Sequence, residues 1–373
     1  MSGPEPLPRA SVPVTILTGF LGSGKTTVLN RLLRRPSLVG AAVIINEFGA
    51  IGLDHLLIEA SEEQFTLLDN GCVCCTVRGD LVATLKALDL RGRSGEVPDI
   101  THVVIETTGL ADPAPILHTL MAEPELAGRY FVAGVVTTVD AANGPATLER
   151  HAEAAKQVAV ADRLLITKAD LVPADSLADL ERRLAALAPT ARQSRAQNGE
   201  ADFDILDNQH LGATADRIAG WLEMAGAGHG HECGPHCDHD HGHLGHDHHE
   251  GGHQAGGHHH HGIQSYSFVI DEPIEWAAFA RWLDYVAALK GEDLLRLKGL
   301  VHVTEEPERP LVLHGVQHVF HPPVRLDAWP SADRRTRLVF IVRDIPRETI
   351  ARTLTKFAAI DAASIGAPVR HAA

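Results

Sequence analysis

Residues 19–26 have the types and the spacing needed to bind the phosphates of a nucleotide. They read Gly-Phe-Leu-Gly-Ser-Gly-Lys-Thr and match the pattern G-x-x-x-x-G-K-[ST] at every position. Glycines let successive backbone N–H groups approach the phosphates, the lysine reaches the β- and γ-phosphates, and the final hydroxyl ligates Mg²⁺. The pattern therefore predicts a phosphate loop in which Lys25 and Thr26 are catalytic. The expected nucleotide contacts in this loop are Gly19, Gly22, Ser23, Gly24, Lys25, Thr26 and Thr27.

The segment Glu106-Thr107-Thr108-Gly109 follows a run of apolar residues that is typical of a buried strand. An acidic residue at the end of a strand beside a phosphate loop is placed to hold the Mg²⁺ shell, so we expect Glu106 to be catalytic. The backbone amide near Gly109 is placed to sense the γ-phosphate. No glutamine that would orient the attacking water stands beside this segment, so slow intrinsic hydrolysis is expected.

The segment Thr167-Lys168-Ala169-Asp170 follows another apolar strand and predicts which base is bound. The carboxylate of Asp170 can accept hydrogen bonds from the ring N–H and the exocyclic amine of guanine, whereas adenine presents a different donor pattern. The stem of Lys168 is expected to pack over the base. The usual guanine signature starts with asparagine, and Thr167 is a departure from it. We expect GTP rather than ATP, with an ATP-dependent kinase or ligase as the alternative.

The segment Cys72-Val73-Cys74-Cys75 places three thiol groups within four residues. Thiolates suit Zn²⁺, Co²⁺ or Cu(I), so we expect a metal site made by Cys72, Cys74 and Cys75. Side chains alternate along an extended backbone, so the three converge only in a bent loop. The alternatives are small buried hydrophobic side chains or a redox dithiol. Glu47, which follows the second strand, either completes the metal site, contacts Mg²⁺ or is a solvated loop acid.

A histidine-rich tract interrupts the second half of the chain. Residues 229–261 hold 14 of the 24 histidines, together with Cys233, Cys237 and five acidic residues. Neutral imidazoles bind divalent metals of intermediate softness, and a flexible segment rich in ligands captures metal quickly and weakly at many sites. The tract has too few apolar residues to form a core and is expected to be disordered. A plain polar linker is the alternative.

Composition narrows the class of protein. The chain has 373 residues, of which 45% are hydrophobic and 22% charged, and its formal net charge is −15. The acidic balance argues against a nucleic-acid partner, and no apolar run is long enough to cross a membrane. The first residues lack the apolar core of a secretory signal, so we expect a cytoplasmic protein. Five cysteines in two groups are typical of metal binding in a reducing compartment rather than of a disulfide framework.

The elements that must position these residues follow an alternating order. Short apolar runs near residues 14–17, 41–45, 103–105, 132–136 and 164–166 predict buried strands. Helical spacing between several of them predicts helices, such as those at residues 81–88 and 174–187. That order predicts an α/β fold, a doubly wound and mostly parallel sheet of the P-loop NTPase type. We place this domain at residues 11–223, the histidine-rich loop at residues 224–262, and a smaller α+β domain at residues 263–371. In the last domain, residues 311–319 are predicted to form one strand.

These motifs, taken in order, resemble the CobW-type GTPases, relatives of the nickel-inserting GTPases of urease and hydrogenase maturation. The segment Leu295-Arg296-Leu297-Lys298-Gly299-Leu300 resembles the C-terminal domain of the same family. The resemblance implies a GTP-dependent metallochaperone in which the cysteine motif carries Zn²⁺ or a related divalent ion such as Co²⁺. The continuation Thr76-Val77-Arg78-Gly79-Asp80-Leu81 is more similar to the zinc-type members than to the cobalamin-synthesis type.

Our hypothesis from the sequence is that GTP orders the segment carrying Glu47 and the cysteine loop, which creates a metal site, and that hydrolysis releases this order. The expected partners are GTP, a divalent metal and a client metalloprotein. Cobalt handling for cobalamin synthesis, or activation of another metalloenzyme, is an alternative. A further alternative is a zinc buffer in which the histidine tract stores metal and the nucleotide is only regulatory.

Overall fold

The computed structural model describes the following parts of the chain: residues 11–32, 40–46, 65–67, 73–77, 80–126, 128–197, 200–201, 261–358 and 360–361. Two sheets organise these residues. Of the helices in these ranges, none is long and apolar enough to cross a membrane.

The first sheet is the frame of the nucleotide-binding domain. Within the described residues it has nine strands in the order β3-β4-β2-β5-β1-β6-β7-β8-β9. All neighbouring strands from β4 to β8 run parallel, and the two outer strands, β3 and β9, pair antiparallel with their neighbours. The strands are β1 Val12–Gly19, β2 Ala41–Asn46, β3 Phe65–Leu67, β4 Val73–Val77, β5 His102–Thr107, β6 Tyr130–Asp140, β7 Arg163–Thr167, β8 Arg192–Gln197 and β9 Glu200–Ala201.

Helices pack on this sheet because its central strands are apolar on both faces. Every residue of β5 and β7 is buried. The helices are α1 Lys25–Leu32, α2 Leu81–Ser94, α3 Ala114–Ala122, α4 Gly144–Arg150, α5 Ala152–Ala159 and α6 Ala174–Leu187. Helix α2 is capped at both ends by its sequence. Asp80 accepts a hydrogen bond from the Val82 amide at 2.9 Å, and Gly95 ends the helix in the left-handed region.

The second sheet belongs to the smaller C-terminal domain. Its strands pair antiparallel in the order β10-β15-β11-β12-β13, with β14 beside β12. Two helices share an aromatic core with it, built around Phe268, Phe279, Trp282 and Phe340. The elements are β10 Ile263–Ile270, α7 Trp276–Lys290, β11 Leu294–Val301, β12 Leu311–Val316, β13 Val319–Phe320, β14 Val324–Arg325, β15 Thr336–Arg343 and α8 Arg347–Phe357.

The fold class expected from the sequence is confirmed: a mostly parallel α/β sheet of the P-loop NTPase type and a separate antiparallel domain. Local predictions needed correction. A single strand over residues 311–319 was wrong, because the backbone of Gln317 has φ 53° and turns the chain between β12 and β13. Strand β4, which contains part of the cysteine motif, was not predicted. The proposed limits at residues 223, 224 and 371 fall outside the described residues and stay predictions.

One carboxylate joins the two domains. Asp162, in the turn between α5 and β7, forms ion pairs with Arg296 and Lys298 of β11; the Lys298 Nζ to Asp162 Oδ1 distance is 3.0 Å. Arg296 also donates to the carbonyl of Val160 at 2.8 Å. On the other side, Asp162 accepts the amide of Val135 at 3.0 Å. These contacts hold strand β11 of the C-terminal domain against the turn that follows α5.

Candidate functional site

The predicted phosphate loop links the central strand β1 to helix α1. Gly19 ends β1, and α1 begins at Lys25, so the amides of the loop and of the first helical turn lie at one edge of the sheet. Gly19 has φ 141°, and a Cβ atom there would lie 2.3 Å from Thr138 Oγ1 and 2.5 Å from the carbonyl oxygen of Thr138. Glycine is thus required where the loop leaves the sheet. Ser23 Oγ shares a 2.6 Å hydrogen bond with Thr138 Oγ1, which ties the loop to β6.

Lys25 lies inside the loop rather than in solvent. Its side-chain Nζ donates to the carbonyl oxygens of Gly19 at 2.8 Å and Phe20 at 3.1 Å. Burial lowers the pKa of Lys25, and the nearby carboxylate of Glu106 offsets this only in part. An ammonium held by neutral carbonyls inside a loop of amides can exchange these acceptors for phosphate oxygens, which are anionic and stronger.

Thr26 and Glu106 meet at the edge of the sheet, although 80 residues separate them in the chain. Thr26 Oγ1 donates to Glu106 Oε1 at 3.0 Å, and Glu106 is only 6% exposed. Burial raises the pKa of Glu106, while the hydrogen bond from Thr26 and the charge of Lys25 lower it only in part. A hydroxyl and a carboxylate in contact beside a phosphate loop are the hard oxygen ligands that Mg²⁺ prefers, so the residues fit this ion.

Residues 167–170, which the sequence predicts to read the base, contact the phosphate loop directly. Thr167 Oγ1 donates to the carbonyl of Ser23 at 2.7 Å, and Lys168 Nζ donates to the carbonyl of Gly22 at 2.9 Å. Lys168 also pairs with Asp140 at 2.6 Å, at the end of β6. Asp170 lies in the exposed turn that follows. The hydroxyl of Thr167 therefore holds the loop in place, at the position where the usual signature has asparagine.

Asp140 is a residue of this site that the sequence analysis missed. Its carboxylate accepts from the Ala142 amide at 2.8 Å and the Asn143 amide at 3.2 Å, besides Lys168. Burial alone would raise the pKa of Asp140, but the hydrogen bonds from Lys168 and Asn143 hold the pKa below its ordinary value. A polar residue at the carboxyl end of a buried strand was the available signal, the same one that identified Glu106.

The predicted γ-phosphate sensor, Gly109, packs on the phosphate loop. A Cβ atom at Gly109 would lie 2.7 Å from the backbone nitrogen of Leu21, so the two backbones are in close contact. The Ala111 amide donates to the Thr108 carbonyl at 3.1 Å and makes a tight turn around Gly109. A buried glutamine of α5, Gln157, contacts the same turn and was also missed.

The predicted metal ligands are only partly covered by the described residues. Cys74 and Cys75 lie in strand β4, where they are in register with Val43 and Ile44 of β2. Cys72, Glu47, Cys233 and Cys237 fall outside the described residues, as do all histidines of the tract except His261. Groups of three or more potential metal ligands are absent from the described part of the chain. The three-cysteine site therefore stays a prediction.

Strand β2 connects the two candidate sites. At its carboxyl end, Asn46 is in register with Thr107 of β5 on one side and with Val77 of β4 on the other. Glu106 pairs with Ile45 one step earlier. Asn46, the residue before Glu47, thus lies between the strand that carries Glu106 and the strand that carries Cys74 and Cys75.

The phosphate loop, the carboxylate at the end of β5 and the parallel sheet together define a P-loop nucleotide-binding protein. Residues 13–195 match the CobW/HypB/UreG nucleotide-binding domain, and residues 263–358 match the cobalamin synthesis protein CobW C-terminal domain. The chain belongs to this CobW/HypB/UreG family, as the motifs indicated.

Similar proteins match this chain over most of its length and over most of their own. The zinc chaperone YjiA of Escherichia coli strain K12 is 30% identical over 339 residues, which cover 91% of this chain and 96% of the relative. A zinc chaperone CobW of Pseudomonas aeruginosa is 31% identical over 378 residues, covering 92% and 91%. A crystal structure of Zn(II)-bound YjiA GTPase from Escherichia coli has a TM-score of 0.71 at 26% identity and covers 94% of this chain and 99% of that one.

Proposed function

We propose that this protein hydrolyses GTP and uses the nucleotide state to gate the binding and delivery of Zn²⁺ to a client metalloprotein. The observation that carries the proposal is the register of Asn46, the residue before Glu47, which pairs with Thr107 of β5 on one side and with Val77 of β4 on the other. The similar proteins named zinc chaperones, and the Zn(II)-bound structure, support zinc as the cargo.

In this proposal the nucleotide site works through charge and position. The loop amides and Lys25 hold the β- and γ-phosphates, and Thr26 with Glu106 would hold Mg²⁺, which neutralises phosphate charge when bound. The Gly109 amide contacts the γ-phosphate. The contacts of Lys168 and Thr167 hold the base-reading segment against the loop, and Asp170 reads guanine.

The cargo site is formed by Cys72, Cys74 and Cys75, with Glu47 as the ligand that the nucleotide controls. With GTP bound, the segment after Asn46 is ordered by the γ-phosphate and brings Glu47 to the thiolates. Hydrolysis removes the γ-phosphate and releases the segment, and the metal then transfers to the client. By linkage, bound zinc must change the affinity for GTP by the same factor.

Asp170→Asn tests the choice of GTP over ATP. The amide N–H₂ of asparagine would face the exocyclic amine of guanine, so GTP affinity is expected to fall by about 100-fold or more, given how strongly unpaired donors are rejected. Xanthosine triphosphate carries a carbonyl in place of that amine and is expected to bind the variant better than GTP does. The measurement is competition of GTP, ATP and xanthosine triphosphate against a fluorescent nucleotide.

The control for this variant is Asp175→Asn, an exposed acid in the first turn of α6. It is expected to leave GTP affinity unchanged. If the Asp170→Asn protein keeps its affinity for GTP, or if the unaltered protein prefers ATP, guanine reading by Asp170 is wrong. If the unaltered protein does not release phosphate from GTP in the presence of Mg²⁺, the proposed GTPase activity is wrong.

A further inference from the structure

Gln157 of helix α5 holds the turn that contains Gly109. It is fully buried, and its Nε2 donates to the carbonyl oxygens of Ala111 at 2.9 Å and Gly109 at 3.3 Å. We propose that Gln157 is a positioning residue for GTP hydrolysis, which fixes this turn so that the Gly109 amide meets the γ-phosphate. The inference rests on the proposed GTPase activity.

The turn is also held by a hydrogen bond inside it and by contacts at its far end. Inside it, the Ala111 amide donates to the Thr108 carbonyl. At its far end, Asp112 accepts the Ala114 amide at 3.0 Å, which begins α3, and it pairs with Lys156 at 3.0 Å. Two consecutive residues of α5 therefore hold two successive parts of one loop. With these contacts in place, the orientation of the peptide groups around Gly109 is fixed before phosphate arrives.

The orientation of the Gln157 amide is set by the loop. Both of its neighbours are carbonyl acceptors, so the NH₂ group must face them. The opposite atom, Oε1, is buried and has no hydrogen-bond partner among the described residues. A buried acceptor without a partner is unfavourable, and the two hydrogen bonds from Nε2 to the loop offset part of this cost.

Helix α5 is itself held rigidly at this point. The carbonyl of Gln157 accepts the hydroxyl of Thr137, on strand β6, at 2.8 Å. At the start of the helix, the ring of His151 packs on the ring of Phe20 in the phosphate loop, with centroids 4.5 Å apart. Gln157 and the phosphate loop also line one cavity of about 180 Å³. Helix α5 thus fixes the position of the Gly109 turn relative to the phosphate loop.

Gln157 does not reach the reacting atoms. Its side chain is fully buried, and its Nε2 is held by the carbonyl groups of Gly109 and Ala111. Its effect must pass through the Gly109 peptide groups, so it is not a substitute for a glutamine that orients water. The predicted signature is selective: the γ-phosphate contact should weaken while the contacts to the α- and β-phosphates and the base stay.

The test is Gln157→Met, which keeps the length of the side chain and removes both hydrogen bonds. In the full chain, single-turnover hydrolysis of GTP is expected to slow about 10- to 100-fold, the effect of a reacting group misplaced by about 1 Å. The affinity ratio between a non-hydrolysable GTP analogue and GDP is expected to fall by about tenfold, with GDP affinity unchanged within about twofold. Gln157→Asn, which keeps an amide in the core but withdraws it from the carbonyls, is expected to act in the same direction.

Gln193→Met is the matched control. Gln193 has the same kind of contact, from its Nε2 to the Glu181 carbonyl at 2.9 Å, and the same unpaired Oε1, but it lies away from the loop. It should leave both the rate and the affinity ratio unchanged.

If both Gln157 variants leave the rate and the affinity ratio unchanged in a protein that hydrolyses GTP, the role of Gln157 is overturned, while the proposed GTPase activity stands. Loss of GDP affinity in step with the rate would also overturn it. Absence of hydrolysis by the unaltered protein overturns the proposed function and the inference with it.

Discussion

Glu106→Gln is expected to slow GTP hydrolysis by about two orders of magnitude and, at the same time, to stabilise the protein measured without Mg²⁺ or nucleotide. The rate falls because an amide cannot supply the negative charge that a magnesium shell needs. Stability rises because burial disfavours the ionised form of this carboxylate, and the charge of Lys25 offsets that cost only in part. The Thr26 hydroxyl can still donate to the amide oxygen of glutamine.

The pH dependence of this effect has a definite sign. Burial raises the pKa of Glu106 above the value of about 4.3 that a glutamate has in an unfolded chain. A group with a raised pKa in the folded state contributes stability below the unfolded value and loses it as pH rises through the folded value. The stability gap between Glu106→Gln and the unaltered protein is therefore expected to be largest near neutral pH and to shrink on acidification.

The measurement is thermal unfolding from pH 5 to pH 8 with a chelator present, alongside phosphate release with Mg²⁺. Glu272→Gln is the control, since Glu272 is an exposed acid of the C-terminal domain. It should change neither quantity. A Glu106→Gln protein that is less stable at neutral pH, or that hydrolyses GTP at the unaltered rate, would contradict the role given to this carboxylate.

Asp162→Asn is expected to remove about 3–5 kcal/mol from the free energy of unfolding, because it leaves buried cations without their counter-charge. The side chains of Arg296 and Lys298 are 4% and 6% exposed, and both pair with Asp162. Burial alone would raise the pKa of Asp162, but Arg296 and Lys298 hold it far below its ordinary range. Since these cations belong to β11, the loss should appear as separation of the two domains.

The pKa of an aspartate in an unfolded chain is about 3.9, and the pKa of Asp162 in the folded protein is lower. Its carboxylate therefore stabilises the fold above the unfolded-state pKa, and this stability is lost as pH falls through the folded-state pKa. The difference in the free energy of unfolding between Asp162→Asn and the unaltered protein is therefore expected to be largest at neutral pH and to decrease below about pH 4. Urea unfolding followed by fluorescence, with limited proteolysis as a second readout, measures both the stability and the domain separation.

Asp293→Asn is the control for Asp162→Asn. Asp293 pairs with Arg343 at 2.9 Å, but both side chains are about one-third exposed and both lie in the C-terminal domain. A pair open to solvent is worth about 0–1 kcal/mol, so this variant should unfold almost as the unaltered protein does. Equal losses from the two variants would show that Asp162 does not hold the domains together.

The sequence was sufficient where the chemistry is local. The phosphate loop, Glu106 and Asp170 were predicted as site residues because each follows an apolar strand, and the carboxyl ends of parallel strands meet at one edge. The contact of Thr26 with Glu106, across 80 residues, follows from that rule. The helix at Ala174–Leu187 was predicted to the residue, because its apolar positions recur at helical spacing.

The missed features depend on tertiary contacts that a sequence does not display. Gln157 reads as an ordinary polar residue of a short helix, and only the fold places its amide on the Gly109 turn. Asp162 likewise shows its role only when β11 of the other domain is docked beside it. Strand β4 was missed because cysteines were read as loop ligands, whereas pairing with β2 extends the backbone there.

The measurement that tests the central claim most directly is zinc affinity of the chain lacking residues 228–262, with a non-hydrolysable GTP analogue and then with GDP. We expect one equivalent of Zn²⁺ to bind about tenfold or more tightly in the presence of the analogue, within the usual range of coupling between two sites. Cys74→Ala is expected to abolish this tight site in both nucleotide states. Equal zinc affinity with the analogue and with GDP would contradict nucleotide gating, and tight binding that survives Cys74→Ala would contradict the cysteine site.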